Sequence, residues 1–157
     1  MTVTVMVGLP ASGKSTYARM FAAQTNAHIC SSDAIREKLY GDEAKQGNPA
    51  EVFKALYKEM REHLAAHESV ILDATNVSSL NRKEIFRNLR WFKSYTTVHA
   101  VVMDTPLETC LRRAKMRERF IPDDVFANMQ ARFEMPTLAE GFDEIQIIRA
   151  NDNQGKE

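Results

Sequence analysis

Cysteine is scarce here, at two residues in 157, and so are proline at five and glycine at six. Cys30 and Cys110 stand far apart in apolar surroundings. A disulfide framework is therefore not expected, and a reducing cytoplasm fits. With so little proline and glycine the chain is neither collagenous nor mucin-like, and 44% hydrophobic residues against 27% charged ones excludes a disordered class. No stretch approaches the ~18 apolar residues that span a bilayer, so membrane contact is not expected. Met1–Val7 lacks the basic lead of a secretory leader and runs straight into Gly8 and Pro10. Net charge is absent as well, with 21 basic and 21 acidic residues, which excludes a positive field over the whole protein. The charge is zoned nonetheless. Residues 82–119 hold ten basic and four acidic groups, whereas 120–157 hold three and eight. One segment can still grip a polyanion locally.

What is present is an alternation of short β-branched runs with helical patterns, in a length suited to one domain with a substantial core. Val3–Val7 is a near-continuous apolar run, as expected of a strand covered on both faces. Further strands are predicted at Ala27–Ser31, Ser69–Leu72, Thr97–Met103 and Glu144–Ile148. Helices are predicted at Lys14–Gln24, Asp33–Tyr40, from Asn48 onward, at Ser78–Lys93, after Thr105, and at Asp123–Met135. Asn48, Pro49 and Glu51 carry the cap, the first-turn proline and a box-like spacing, and Thr105-Pro106-Leu107-Glu108 repeats the box logic. Val52, Phe53, Leu56, Tyr57, Met60 and Leu64 form one apolar stripe. No repeat or linker divides the chain. Five strands alternating with helices imply an α/β fold with a parallel sheet, whose ligand lies beyond the strands' C-terminal ends.

The strongest motif stands there. Gly8-Leu9-Pro10-Ala11-Ser12-Gly13-Lys14-Ser15 satisfies G-x-x-x-x-G-K-[ST] between a strand and a helix. Its glycines admit positive φ angles and close backbone approach, so that successive N–H groups converge on phosphate oxygens at a helix N-terminus. Lys14 reaches the terminal phosphates and the Ser15 hydroxyl suits Mg²⁺.

Acids follow three other strands. Asp73, after Val70-Ile71-Leu72, has the pattern of an acid that orients the Mg²⁺ shell; capping the next turn is its structural alternative. No glutamate follows it, so the arrangement that activates water in motor ATPases is missing. Asp104 precedes a strong helix start and reads as structural. Asp33, after Ser31-Ser32, is placed either to take the proton of an attacking hydroxyl or to cap the following helix. Its position leaves both open. Arg112, Arg113, Lys115, Arg117 and Arg119 crowd into eight residues and read as a mobile arm over a transferred phosphoryl group, with a solvated charged face as the alternative. His63 and His67 are spaced i,i+4 but lack the glutamate of H-E-x-x-H and read as the polar end of a helix. Trp91, Phe92 and Tyr95 read as packing at a helix end in preference to base stacking.

Together GLPASGKST (8–16), SSDAIRE (31–37), ILDATN (71–76) and RRAKMRERFIP (112–122) resemble the kinase domain of phage-type polynucleotide 5′-hydroxyl kinases, within the wider group of small P-loop kinases. The resemblance implies a single three-layer α/β/α domain over residues 1–157, strand order 2-3-1-4-5, and a lid near 112–122. It implies ATP and Mg²⁺ as cofactors and a nucleic-acid 5′ end as substrate, the γ-phosphate moving to the 5′-hydroxyl of DNA or RNA. By the same resemblance Asp33 is the base, Arg36 engages the acceptor, and Asp73 and Asn76 belong to the acceptor and metal environment. Arg113 and Arg117 match lid arginines on the triphosphate, and Arg82 is expected on the acceptor strand. Gly8, Ala11, Ser12, Gly13, Lys14, Ser15 and Thr16 hold the nucleotide, with Ser15 and Asp73 toward the metal. Small P-loop kinases of seryl-tRNA, sugars, nucleosides and antibiotics also place an Asp near position 33. A kinase of that kind is the alternative expectation, and a nucleotide-binding regulatory module a more distant one.

Overall fold

The computed structural model describes residues 1–43, 45, 47–117 and 121–149. In chain order these form β1 (Thr2–Val7), α1 (Lys14–Thr25), β2 (His28–Ser31), α2 (Ser32–Tyr40), α3 (Pro49–Ala65), β3 (Val70–Asp73), α4 (Ser79–Asn88), β4 (Thr97–Asp104), α5 (Leu107–Met116), α6 (Asp123–Arg132) and β5 (Glu144–Arg149). Short 3₁₀ turns occupy Lys93–Tyr95 and Leu138–Glu140. The strands form one parallel sheet in the order β2-β3-β1-β4-β5, as expected.

The apolar run of β1 divides by strand period. Val3, Val5 and Val7 face a core closed by Val52, Leu56, Met60 and Leu64 of α3, by Ile85 of α4 and by Leu89 just past its end. Met6 faces the other way, against Ala18, Tyr17 and Phe21 of α1. Each of the fully buried aliphatic side chains contributes about 1.5–3 kcal/mol of transfer free energy, so the two faces hold the sheet between helical layers. A third, smaller cluster joins Leu9 of the loop after β1 to Cys110 and Ala114 of α5 and Phe126 of α6. The α5–α6 pair is thereby docked on the loop that follows β1.

Several boundaries differ from expectation, each for a local reason. The helix expected over 78–93 ends at Asn88, whose Nδ2 donates to Glu84 O at 2.8 Å and competes for a helical carbonyl. Beyond it Trp91 and Tyr95 are 74% and 51% exposed, so only Phe92 packs on the core, with the Tyr95 ring edge-on against it. Helix α6 stops at Arg132, where Phe133 turns extended and Glu134 N bonds Val77 O at 2.8 Å, and Pro136 disfavours a helical Met135. Asn48 caps α3 as predicted, accepting from Ala50 N at 3.1 Å, but Glu51 closes no box and accepts from the Tyr40 hydroxyl. Thr105 does not cap α5; its hydroxyl donates to Ser12 O at 2.8 Å.

Candidate active site

Strand β1 delivers the chain into a loop bent by two positive φ angles, 61° at Ala11 and 104° at Gly13. Gly13 is the N-cap of α1 and supplies no side chain, so the amides of the first turn face outward unmatched by any cap. These N–H groups and the helix dipole make an anion cradle. Long-range bonds hold the loop in shape: Gly8 N donates to Thr75 O at 2.9 Å, and Thr105 supports the Ser12 carbonyl. Lys14 is buried and curls across the loop, its Nζ donating to Leu9 O at 2.7 Å. The Ser12 hydroxyl is buried with no partner. An unsatisfied polar group beside a row of N–H donors is costly unless a ligand answers it, and a phosphate oxygen does so.

Beside the cradle, Ser15 Oγ donates to Asp73 Oδ2 at 2.8 Å. The pairing follows from strand order, because β3 lies directly next to β1 and ends at Asp73. The turn capping considered for Asp73 is thus outweighed by this contact. A hydroxyl and a carboxylate next to a phosphate cradle are the hard oxygen donors that Mg²⁺ takes, with phosphate and water completing its octahedron. The donor set fits that ion.

The opposite wall comes from β2 and α2. Ser31 is the N-cap, its hydroxyl accepting from Ala34 N at 3.3 Å, so capping is not the task of Asp33. Asp33 Oδ1 accepts from Arg36 Nη1 at 3.1 Å, and the same Nη1 lies 3.4 Å from Ser32 Oγ. Arg36 Nε is buried without a partner. Ser32, Asp33 and Arg36 line one cleft with Lys14, Ser15, Asp73 and Arg117. Arg113 stands over the loop, its Nη1 3.8 Å from where a Cβ on Gly13 would lie. Burial raises the Cys110 thiol pKa against the pull of Lys14 and Arg113, two cations flanking one sulfur. Both cysteines are free and buried. Glu118, Arg119 and Phe120 lie outside the described residues, so the expected lid is seen only as far as Arg117 and again from Ile121.

Three residues expected at the ligand are not among those that line the cleft. Arg82 is fully buried and spends its guanidinium on Glu140 Oε1 at 2.8 Å and on Asn76 O at 2.9 Å, so it braces the turn after β3 and does not reach an acceptor. Asn76 is buried at φ 50°, its Nδ2 donating to Met6 O at 2.8 Å; it ties that turn to β1 and stays out of the cleft. Thr16 is exposed in the first turn of α1, its Oγ1 accepting from Arg19 Nη2 at 3.5 Å. Asp104, expected to be structural, pairs with Arg149 of β5 at 3.6 Å. Three lining residues lie outside every motif read from the sequence: Phe53, Val125 and Met129, while Ile121 belongs to the expected lid. Phe53 looked like one more member of the α3 stripe; it is half-buried because its ring stands at the cleft end of that stripe.

Residues 3–136 match the AAA_33 family, described as an AAA domain. The chain belongs to that family. It is 28% identical over 153 residues to the L-seryl-tRNA(Sec) kinase of Methanococcus maripaludis, covering 88% of this chain and 55% of the relative. It is 24% identical over 151 residues to the bifunctional polynucleotide phosphatase/kinase of Schizosaccharomyces pombe, covering 93% and 33%. A chain in the Pnkp1/Rnl/Hen1 RNA repair complex superposes with TM-score 0.70 at 26% identity, over 83% of this chain and 43% of that one. The chain thus spans about half the length of the first relative and a third of the second. Both curated relatives carry a kinase in their names, and the family match itself is to the AAA_33 domain. No helix among its described residues is long and apolar enough to cross a membrane.

Proposed function

We propose that the protein is an ATP- and Mg²⁺-dependent kinase that moves the γ-phosphate to an alcohol, the 5′-hydroxyl of DNA or RNA. The observation that carries this is Asp33, which lines the same cleft as Lys14 and the Ser15–Asp73 pair while Ser31 caps α2. On this reading the loop amides, the Ser12 hydroxyl and Lys14 bind the β- and γ-phosphates. Mg²⁺, when held by Ser15 and Asp73, neutralises phosphate charge. Asp33 accepts the hydroxyl proton as the acceptor oxygen bonds to Pγ and the bond to the ADP oxygen breaks. Arg113 and Arg117 stabilise the charge spread over the transferred group, a role worth ~10³–10⁵ in rate where an arginine supplies it.

Arg36 favours a polyanionic acceptor. Its Nε is a buried donor in want of an acceptor atom, next to the proposed base, and a phosphate adjoining the attacked nucleoside supplies one. The second reading is a kinase of a tRNA-linked amino acid or of a small alcohol, supported by the 28% identity to a seryl-tRNA kinase. Both readings use the same base. The deciding experiment follows labelled γ-phosphate from ATP with Mg²⁺ to a 5′-hydroxyl oligonucleotide, with Asp33→Asn in parallel. Transfer by the wild type that vanishes in the variant, with ATP binding retained, is expected. Wild-type transfer surviving in Asp33→Asn would remove the assigned base. Labelling of seryl-tRNA or a small alcohol but not of the oligonucleotide would select the second reading.

A further inference from the structure

Away from the cleft, at the opposite ends of the strands, the molecule gathers ligand groups that phosphoryl transfer does not use. His28 opens β2 and Cys30 follows on the same face of that strand. Glu59 and His63 lie one turn apart on α3, and Glu68 belongs to the turn that leads into β3. The ligand atoms of His28, His63 and Glu68 lie within 4.8 Å of one another, as do those of Cys30, Glu59 and His63. His63 is common to both groups. The Glu68 carboxylate stands between the imidazoles: Oε1 is 3.2 Å from His63 Nδ1, and Oε2 contacts His28 Nε2. The two rings stack with centroids 4.4 Å apart and planes 16° apart.

The local backbone builds this arrangement. After α3 the chain turns through a positive φ of 60° at His67, and Glu68 N returns to bond His63 O at 3.0 Å. That reversal sends His67 away from its i,i+4 partner and brings Glu68 under His63 in its place. The side chains of His28, Glu68 and His63 are 44%, 38% and 26% exposed, so an ion from solvent has access.

We propose that His28, His63 and Glu68 form a binding site for a divalent transition metal, Zn²⁺ by donor chemistry, with a fourth position left to water. Imidazole nitrogen excludes the oxygen-seeking Mg²⁺ and Ca²⁺, whereas two imidazoles with one carboxylate suit zinc. Tetrahedral zinc holds neighbouring nitrogen and oxygen ligands about 3.3 Å apart. The His63–Glu68 separation of 3.2 Å already matches that spacing. Binding replaces the shared protons by the ion and splays the ring stack so that both lone pairs meet it. Glu59 and Cys30 then stand behind His63. Such an ion ties the start of β2, the end of α3 and the turn into β3. It is distinct from the Ser15–Asp73 pair, since three strand steps of ~3.3 Å separate His28 from Ser31 at the cleft end of β2.

The test strips the protein with a chelator and titrates Zn²⁺ against a chromophoric competitor, with Co²⁺ spectra alongside. One equivalent per chain, ligand-field bands of a low-coordinate Co²⁺, and a Zn²⁺-dependent rise in Tm are expected. His28→Asn and Glu68→Gln, at exposed positions, should each weaken Zn²⁺ at least about tenfold and cancel the Tm rise, with far-UV dichroism unchanged. Asp73→Asn should bind Zn²⁺ as the wild type does, whatever happens to phosphoryl transfer. Absence of saturable Zn²⁺ binding in the wild type overturns the proposal. So does binding that survives both His28→Asn and Glu68→Gln, or binding that is lost in Asp73→Asn.

Discussion

Replacing Glu140 by glutamine puts the brace behind the cleft under direct test. Arg82 is completely buried, its Nε donating to Glu140 Oε1 at 2.8 Å and its Nη2 standing 3.4 Å from Oε2. Glutamine keeps the size of the side chain and one acceptor oxygen but sets an amide NH₂ against the guanidinium and leaves a buried charge without its counter-ion. Breaking such a pair from one side costs about 3–5 kcal/mol. The Glu140 side chain is 19% exposed and water reaches it, which favours the lower end, about 3 kcal/mol. At ~2.1 cal/mol/K of unfolding entropy per residue, 157 residues convert that to a fall of about 9 °C in Tm. Arg82→Met removes the buried charge itself and orphans chiefly the Asn76 carbonyl, so it should cost less, about 1–3 kcal/mol. Urea unfolding of both variants and of the pair measures this. A Glu140→Gln cost under about 1 kcal/mol, or one smaller than that of Arg82→Met, would refute the argument.

The same pair sets a pH dependence. Burial pushes the Glu140 pKa up, but hydrogen bonds from Arg82 and Thr137 together outweigh it and hold the carboxyl below its usual 4.5. A folded pKa beneath the unfolded one stabilises fully above about 4.5, and that contribution is lost as pH falls through the folded value. The stability gap between wild type and Glu140→Gln should therefore narrow on acidification below that point.

Two substitutions probe the cleft more directly. A Cβ on Gly8 would lie 2.7 Å from Ser12 Oγ and 3.1 Å from the Met103 carbonyl, and the carbonyl belongs to a central strand that cannot yield. Gly8→Ala should therefore destabilise by about 1–3 kcal/mol and weaken ATP binding as the loop shifts; wild-type ATP affinity by titration would contradict this. Arg36→Ala should leave ATP affinity unchanged and raise the acceptor KM roughly 10- to 100-fold, the worth of one charge-assisted phosphate bond. An unaltered acceptor KM would take Arg36 out of acceptor binding.

The inner strands were legible from sequence because strands covered on both faces are written as dense apolar runs, and the runs of β1 and β3 end where cleft residues begin. Lys14, Ser15, Asp33 and Asp73 were legible for the same reason, standing at or just past strand ends. Asn76 and Arg82 are of types that suit a ligand as well as a turn, so sequence alone does not place them. Only the neighbours of Asn76 and Arg82, Met6 and Glu140, reveal that both are bound to the protein itself. Phe53 was hidden inside an amphipathic stripe, and no periodicity separates its last core residue from its first cleft residue. His28 was invisible as a partner of His63, because i,i+4 spacing drew attention to His67 and a single positive φ decided otherwise.

By itself the sequence determined the phosphate cradle. Glycines, Lys14 and Ser15 lie within eight consecutive residues, and the loop's shape follows from φ preferences and from N–H groups that no side chain caps. Tertiary structure decided everything that joins distant segments. Ser15 meets Asp73 across 58 residues, Arg82 meets Glu140 across 58, and Thr105 supports Ser12 across 93. Such pairs depend on strand order and register, which place side chains within a hydrogen bond of each other, and local preference along the chain carries no record of that distance.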